Sequence, residues 1–254
     1  QTNAATNNGD GTWTLADGTL TAPLAEETFD VSVTATDVAG NDGSDGTSNE
    51  LTVNTGLLLI EASVFAAANG PVLVVLDGTV ILVTDDQGTQ LQPSRDVTDT
   101  DEIEAEGRDG ENDRLIISVA AAGSADTVLF SGGTGDDTLS IGVDDSETVS
   151  LFDLDLTGIA DGTIDTGNGD ITFSAVETVD TTGLLSVTSH DVQFSSNDDE
   201  IVITNSGFSD GDFSYTTDAL GTFVLDAGAG DDNVDALSVA TPLTLDGGAG
   251  TGCR

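Results

Sequence analysis

A nine-residue motif near the middle of the chain constrains its fold more than any other feature. Residues 132–140 read GGTGDDTLS and fit, position by position, the pattern G-G-x-G-x-D-x-U-x, in which U is a large apolar residue. The glycines allow positive φ angles and hence a tight turn, and the apolar residue is expected to point into the core from the strand that follows. The motif therefore predicts turns and short strands stacked in a parallel β-roll.

Two imperfect copies follow the first motif. Residues 227–235 read AGAGDDNVD, with Ala at the first Gly position, and residues 247–250 read GGAG before the pattern fails at Gly252, where Asp is expected. Each copy is preceded by a similar strand, at 223–226 and 243–246. The offset of about 20 residues is close to one coil of a β-solenoid.

The oxygen atoms of these turns suit Ca²⁺. This ion binds about six to eight oxygens, which backbone carbonyls and carboxylates from two stacked turns can supply. Gly-Asp pairs are also ordinary turn formers, so solvated turns without metal are the alternative. The acidic run 197–200 (NDDE) is predicted to be a solvated turn, with a further degenerate copy of the loop and strand over 197–203 as the alternative. The candidate ligands are Gly133, Gly135, Asp136 and Asp137 in the first turn, Gly228, Gly230, Asp231 and Asp232 in the second, and Asp226 and Asp246, which lie one coil apart.

The charge balance narrows the class of partner. The chain has 47 acidic residues and four basic ones, all arginine, and its formal net charge is −43. This excludes nucleic acid as a natural partner, because binding requires basic residues that displace counterions. It also disfavours anionic membrane surfaces and favours multivalent cations, which relieve self-repulsion. A salt-adapted acidic surface is the alternative. The most apolar stretch, 57–83, is interrupted by polar residues, so we expect no membrane insertion.

Residues 1–55 are predicted to be the C-terminal part of a β-sandwich. Residues 29–37 alternate between apolar and polar side chains, as a half-buried strand does. Three segments, at 8–14 (NGDGTWT), 31–41 (VSVTATDVAGN) and 51–55 (LTVNT), resemble the bacterial Ig-like repeats of large surface adhesins. The resemblance implies an array of similar domains before residue 1.

Residues 56–125 are interpreted as the first coils, or a cap, of the solenoid. Residues 72–76 and 79–84 predict a hairpin about Asp77-Gly78, a turn-forming pair. Residues 114–119 predict another strand, whereas the acidic stretch 98–106 predicts a loop.

Residues 126–254 predict the solenoid itself. No segment shows helical periodicity, and short strands recur about every 8–12 residues between Gly/Asp turns. This stretch resembles the RTX-like calcium-binding repeat regions of secreted and surface bacterial proteins, although its repeats are degenerate and not in tandem. The predicted strands are 127–130, 148–152, 171–173, 184–187, 201–204, 213–215, 223–225 and 243–245.

An enzyme is a weaker interpretation. Residues 207–211 read GFSDG and match the nucleophile-elbow pattern G-x-S-x-G, but no helix is expected after Ser209, and the single histidine, His190, precedes it. His190 is predicted to be a strand-end residue. A β-helix polysaccharide lyase needs cationic groups or a metal to neutralise its acidic substrate, and four scattered arginines serve that purpose poorly.

Taken together, the sequence predicts an all-β chain in which a partial Ig-like β-sandwich leads into a right-handed parallel β-helix or β-roll. The predicted function is that of a calcium-binding structural or adhesive segment of a large secreted or cell-surface protein, without enzymatic activity. Its expected partners are Ca²⁺ and, beyond it, a second copy of the chain or a surface glycan or protein. Two alternatives stay open: a self-associating filament or surface-layer subunit, and a polysaccharide-active β-helix enzyme or its non-catalytic module.

Overall fold

The structure is a computed structural model of the chain, which separates into two compact units at residues 1–55 and 56–254. The residues that it describes are 3–8, 13–14, 27–31, 34–36, 39–44, 51–53, 56–143, 146–218, 221–237, 239 and 242–248.

The first unit contains antiparallel strand pairs. The pairs are β1 (Thr6–Asn7) with β2 (Trp13–Thr14), β3 (Glu27–Phe29) with β6 (Leu51–Val53), and β4 (Thr34–Thr36) with β5 (Asp42–Ser44). Parts of the segments that carry the Ig-like resemblance, including 9–12, 32–33 and 37–38, lie outside the described residues. The partial sandwich therefore stays a prediction.

The second unit is mostly β-structure. Its strands are β7 (Leu57–Ile60), β8 (Val72–Asp77), β9 (Val80–Thr84), β10 (Arg95–Asp96), β11 (Glu102–Glu106), β12 (Arg114–Ile117), β13 (Thr127–Ser131), β14 (Thr138–Ile141), β15 (Glu147–Leu156), β16 (Gly162–Asp165), β17 (Asp170–Ser174), β18 (Thr178–Asp180), β19 (Leu184–Gln193), β20 (Glu200–Thr204), β21 (Gly207–Asp210), β22 (Phe213–Thr216), β23 (Thr222–Asp226), β24 (Asn233–Ala236) and β25 (Leu243–Asp246). Two short helices, α1 (Ala62–Ala68) and α2 (Val119–Ala122), and a 3-10 turn at Val97–Asp99 lie between strands.

These strands form two large mixed sheets. Sheet I has the order β25-β23-β19-β15-β16-β17-β13-β11-β7, and sheet II has the order β10-β9-β8-β12-β14-β18-β22-β21-β20-β24. The chain passes repeatedly from one sheet to the other, as in β11 to β12 and β13 to β14. Most neighbouring strands in each sheet are parallel. The antiparallel neighbours belong to the three-stranded segments β8–β9–β10, β15–β16–β17 and β20–β21–β22. The fold is therefore all-β.

In-register rows of apolar side chains build the core of the second unit. In sheet II, Val72, Leu115, Leu139, Val179 and Tyr215 pair across successive parallel strands, and each is at most 1% exposed. Leu139 is the large apolar residue of the first motif. Side chains alternate between the two faces of a strand, so one residue in two points into the core. Because these buried residues pair in register, the turns at the ends of the strands lie one above the next.

Several local predictions can be compared with this structure. The hairpin about Asp77-Gly78 is confirmed, with Val80 paired to Asp77 and φ of +66° at Gly78. The loop predicted for 98–106 is wrong at its end, because Ile103 and Ala105 turn into the core while the acids between them face outward, which makes β11. The expectation that 126–254 contains no helix agrees with its described residues, and the two helices α1 and α2 lie before that stretch.

Candidate functional site

Three turns that lead from strands of sheet I into sheet II stack on one another, and the first motif turn is the middle one. They are residues 107–113 between β11 and β12, residues 132–137 between β13 and β14, and residues 175–177 between β17 and β18. Because β11, β13 and β17 are parallel neighbours, the three turns follow each other at one edge. We call the carboxylates that link them, Asp113, Asp137 and Glu177, the first ladder.

Side-chain oxygens of one turn bind backbone N–H groups of the preceding turn in the first ladder. The N–H of Asp113 donates to Oδ1 of Asp137 at 2.7 Å. The N–H of Asp137 in turn donates to Oε2 of Glu177 at 2.7 Å. A second contact runs the other way, from the N–H of Asp136 to Oδ1 of Asn112 at 3.0 Å. The ladder thus ties each turn to the next by charge-assisted bonds, which are the stronger kind.

The same two contacts recur in a second stack of turns. Residues 195–199 lie between β19 and β20, and residues 227–232 lie between β23 and β24. The N–H of Asp199 donates to Oδ1 of Asp232 at 3.1 Å, and the N–H of Asp231 donates to Oδ1 of Asp198 at 2.8 Å. We call Asp199 and Asp232 the second ladder. Recurrence of one geometry at two places indicates a repeated structural device.

Glycine is required where successive turns approach each other. A Cβ placed on Gly132 would lie 2.1 Å from the carbonyl oxygen of Ala175 in the next turn. A Cβ on Gly230 would lie 2.2 Å from the carbonyl oxygen of Asn197. Non-bonded atoms do not approach each other this closely, so a residue with a Cβ would push the turns apart. Glycine lets the backbones stack closely enough for the ladder bonds to form.

Each ladder carries buried carboxylate oxygens without a partner. Asp137 is 0% exposed, Asp232 is 1% exposed and Asp199 is 8% exposed. Within the described part of the chain, Oδ2 of all three lacks any hydrogen-bond partner. An unpaired charge at such a position is costly, and buried polar atoms without a partner are rare in folded proteins. These oxygens are therefore the strongest local indication of a missing positive charge.

The electrostatic surroundings of two of these carboxylates shift their protonation. Burial and, to a smaller extent, the negative charges of Glu177, Asp113 and Asp136 raise the pKa of Asp137 to about 6, although the hydrogen bond from the N–H of Asp113 lowers it. Burial raises the pKa of Asp199 to about 7, with further contributions from Asp210 and Asp232. Both sites therefore disfavour a bare negative charge, and either a proton or a metal cation relieves them.

The carbonyl groups proposed as co-ligands lie beside these carboxylates in the chain. The carbonyl oxygens of Gly133 and Gly135 accept none of the turn-to-turn hydrogen bonds described above, and neither do those of Gly228 and Gly230. Carboxylate and carbonyl oxygens together form the donor set that Ca²⁺ prefers. The residues present in the turns therefore fit this ion chemically.

The remaining predicted ligands occupy a different environment. Asp136 and Asp231 are exposed, and their backbone N–H groups take part in the turn-to-turn contacts described above. Asp226 and Asp246 are in-register partners on β23 and β25, as their spacing of one coil suggests. Each closes its own turn, because Oδ1 of Asp226 accepts from Gly228 N–H at 2.9 Å and Oδ1 of Asp246 accepts from Gly248 N–H at 3.1 Å.

Sequence reasoning missed three residues of the ladders as ligand candidates: Asp113, Glu177 and Asp199. Asp199 carries a usable signal, since an Asp-Asp pair stands directly before a strand at 136–137, 198–199 and 231–232 alike. The solvated turn predicted for 197–200 is wrong at Asp199, because that carboxylate is buried against the following turn. Asp113 ends a turn, GRDGEND at 107–113, that is longer than the motif turn at 132–137 and does not fit its spacing, and Glu177 has no glycines directly before it.

The candidates for catalysis do not assemble. Ser209 lies in β21, whose antiparallel partner β22 follows after a turn, whereas the nucleophile elbow requires a helix. The strand-end prediction for His190 is wrong, because His190 lies inside β19 and is 0% exposed. Its Nδ1 is 2.7 Å from the hydroxyl of Tyr215, so this pair belongs to the core.

Three further findings bear on the site. Among the described residues, no three His, Cys, Asp or Glu side chains converge as a metal-binding group, so a cation here would depend on carbonyl oxygens as well. The same residues include no helix of the length and apolarity needed to cross a membrane. Comparison with protein-family models, with curated proteins and with solved structures gave no match to the chain.

Proposed function

We propose that this chain is a calcium-binding structural segment of a large secreted or cell-surface protein, in which Ca²⁺ stiffens stacked Gly-Asp turns. The observation that carries the proposal is the repeated ladder: Asp137 and Asp232 each use Oδ1 to bind the preceding turn and leave a buried Oδ2 without a partner. A divalent cation supplies the positive charge that these oxygens lack. At the first ladder, the carboxylate of Asp137 and the carbonyls of Gly133 and Gly135 would hold the cation. At the second ladder, the carboxylates of Asp199 and Asp232 and the carbonyls of Gly228 and Gly230 would hold it.

The architecture that we propose for residues 56–254 is a β-solenoid. Support comes from the parallel in-register rows and from the regular passage of the chain between the two sheets. In such a fold each coil places one turn above the next, so a cation between turns couples neighbouring coils. Calcium-coupled folding then follows, because the ligands come together only when the coils stack.

The proposed location follows from the chemistry of weak calcium sites. Sites in extracellular modules bind Ca²⁺ with dissociation constants of about 0.1–1 mM, which extracellular calcium saturates. The net charge of −43 keeps an unstacked chain extended through self-repulsion. A chain that folds only after export, and then serves as a rigid stalk or adhesive segment, fits both properties. The resemblance of residues 1–55 to Ig-like adhesin repeats points in the same direction.

Calcium titration tests this proposal. Isothermal calorimetry and far-ultraviolet circular dichroism on the same sample should show binding accompanied by a gain of β-signal, with a lower affinity in Asp137→Asn and Asp232→Asn. Asp136→Asn and Asp231→Asn are matched controls, because these side chains are exposed neighbours. Equal spectra in Ca²⁺ and in chelator, without heat of binding, would contradict the proposal and leave a salt-adapted acidic surface as the explanation for the charge.

A second candidate function is self-association, and one observation favours it. Leu245 pairs in register with Leu225, yet Leu245 is 47% exposed whereas Leu225 is 0% exposed. Strands β24 and β25 each lie at the edge of a sheet, and an apolar edge strand can pair with another chain. Light scattering should show particle mass rising with protein concentration in the wild type and not in Leu245→Lys. Mass independent of concentration in both would exclude this candidate.

A further inference from the structure

The two ladders differ in their positive charge. In the first ladder, Nε and Nη2 of Arg108 donate to Oδ1 of Asp113 at 2.8 and 2.6 Å. The backbone N–H of Arg108 donates to Oδ2 of the same carboxylate. Both oxygens of Asp113, which is 3% exposed, are therefore bonded. Asp137 and Asp232 use Oδ1 alone.

Among the described residues, the second ladder has no such basic partner. No lysine or arginine occurs between Arg114 and Arg254 in the sequence, and Arg114 is paired with Asp180 at 2.8 Å. Arg254 lies outside the described residues. Acidic groups instead lie next to Asp199: its N–H donates to Oδ1 of Asp232 at 3.1 Å, and Oδ1 of Asp210 accepts the N–H of the adjacent Glu200 at 2.9 Å. The unpartnered Oδ2 atoms of Asp199 and Asp232 are buried within this acidic cluster.

We propose that Arg108 is a built-in counter-ion that replaces a metal ion at Asp113, so that the metal-dependent steps of folding lie beyond this turn, at Asp137 and in the second ladder. This inference rests on the proposed calcium-binding function. The guanidinium is planar, permanently charged and bonded through two of its nitrogens, which suits a buried carboxylate. The turn at 107–113 therefore closes without metal, whereas the turns at 195–199 and 227–232 require an external cation.

An ordered path of assembly follows from this difference. Strands β11 and β12 flank the turn that Arg108 closes, and they pair in parallel with β13 and β14. A closed first turn presents these strand edges as a platform for the next coil. Cation binding at Asp137, and then at Asp199 and Asp232, extends the stack towards β25. The permanent charge of Arg108 thus sets the starting point of calcium-driven folding at the turn 107–113.

Hydrogen exchange measured by mass spectrometry on the full chain tests the inference. In EDTA, backbone amides of 102–117 should be protected, whereas those of 200–204 and 222–236 should exchange about tenfold faster or more than they do in Ca²⁺. Adding Ca²⁺ should protect the second set and change 102–117 little. Equal responses of both regions to Ca²⁺ would overturn the inference but leave the proposed function standing. A response in neither region would contradict the proposed function itself.

Substitution of the arginine provides the direct test. Arg108→Gln should reduce protection of 102–117 in EDTA by about ten- to a hundredfold, because it leaves a buried carboxylate unpaired, and Ca²⁺ should restore that protection. Arg114→Gln is the matched control with the same charge change, since Arg114 is half-exposed, and it should alter exchange less than about threefold. The double variant Arg108→Gln/Asp113→Asn removes the unpaired charge and should recover protection in EDTA.

Further controls show whether Arg108 acts through its charge. Circular dichroism in saturating Ca²⁺ establishes that Arg108→Gln folds, and Arg108→Lys, which keeps the charge without the paired geometry, should retain part of the protection in EDTA. If Arg108→Gln exchanges like Arg114→Gln, or if Ca²⁺ fails to restore its protection, Arg108 does not stand in for a metal ion. If the double variant is as labile in EDTA as Arg108→Gln, the role of Arg108 is packing and not charge, which also overturns the inference.

Discussion

Oδ1 of Asp232 accepts the backbone N–H of Asp199 at 3.1 Å, while Oδ2 of the same carboxylate is buried and has no partner in the described part of the chain. Asp137 does the same for Asp113. One oxygen of each carboxylate therefore braces two turns, and the other has no hydrogen-bond partner among the described residues. Asparagine can keep the brace and remove the charge, which separates the two roles experimentally.

Asp232→Asn should stabilise the calcium-free chain and weaken its response to Ca²⁺. The amide oxygen can still accept from Asp199, whereas the cost of a buried, unpaired charge is removed, so the free energy of unfolding in EDTA should rise by about 1–3 kcal/mol. Urea denaturation in EDTA and in Ca²⁺ measures both effects. Asp231→Asn, at an exposed neighbour, should change stability by less than about 0.5 kcal/mol. A lower stability of Asp232→Asn than of the wild type in EDTA would show that the charge of Asp232 does not destabilise the calcium-free chain.

Without metal, the chain should be more stable in mild acid than above neutrality. The folded-state pKa of Asp137 is about 6 and that of Asp199 is about 7, both above the ordinary value of 3.8. The folded state thus binds these protons more tightly than the unfolded state, so their stabilising effect is present below about pH 4 and is lost as pH rises to between 6 and 7. Because a tenfold difference in proton affinity between the two states is worth about 1.4 kcal/mol, the two carboxylates together should contribute several kcal/mol.

Thermal unfolding between pH 4 and 8 in EDTA checks this dependence. Asp137→Asn and Asp199→Asn should each flatten part of the profile, and Asp136→Asn, which removes only the smallest of the contributions to the pKa of Asp137, should change it less. Saturating Ca²⁺ should remove most of the slope above pH 6, because the cation takes the place of the proton. A calcium-free chain whose stability rises from pH 5 to pH 8 would mean that these carboxylates are not the groups that limit its stability.

The all-β character and many strands of the second unit could be predicted because apolar residues alternate in short runs between Gly/Asp turns. Leu139 and Leu225 occupy the buried positions that this pattern assigns to them. The acidic strand β11 was missed, since Glu102, Glu104 and Glu106 outnumber the two buried apolar residues between them. Pairing with β7 and β13 settles its state, and pairing is a long-range effect that local propensity does not contain.

The candidate site was predictable only within single turns. The glycine and aspartate spacing identified Asp137 and Asp232, but both ladders depend on residues contributed by a preceding or following turn. The N–H of Asp113 that binds Asp137 lies 24 positions earlier, and Glu177 lies 40 positions later. Which turns stack is decided by strand order, and antiparallel segments such as β15–β16–β17 interrupt the simple alternation of strands between the two sheets. The sequence alone therefore could not show that Arg108 lies against a ladder carboxylate.

Gly132→Ala should destabilise the stack without altering any charge. The new Cβ would lie 2.1 Å from the carbonyl oxygen of Ala175 and 2.6 Å from Cβ of Asp137, so the turns must separate. We expect a loss of about 2–4 kcal/mol in the free energy of unfolding in Ca²⁺, together with a weaker calcium affinity. Gly70→Ala is the matched control, since its nearest atom is the Ala68 carbonyl oxygen at 4.0 Å. Equal stability of the two variants would contradict the close stacking of the turns.

Tyr215→Phe should destabilise the second unit to the same extent with and without Ca²⁺. The Tyr215 hydroxyl is 2.7 Å from Nδ1 of His190 and 3.0 Å from Oγ1 of Thr181, and all three residues are buried. Removing the hydroxyl leaves polar atoms of the core underbonded while the aromatic packing on Phe152 remains, so we expect a cost of about 1–3 kcal/mol. Ser214→Ala, which breaks a half-exposed hydroxyl pair on the adjacent residue, should cost less than about 0.5 kcal/mol. Urea denaturation in EDTA and in Ca²⁺ distinguishes this core effect from the ladder variants, because a cost that appears in only one of the two conditions would place Tyr215 in the calcium-dependent part of the fold.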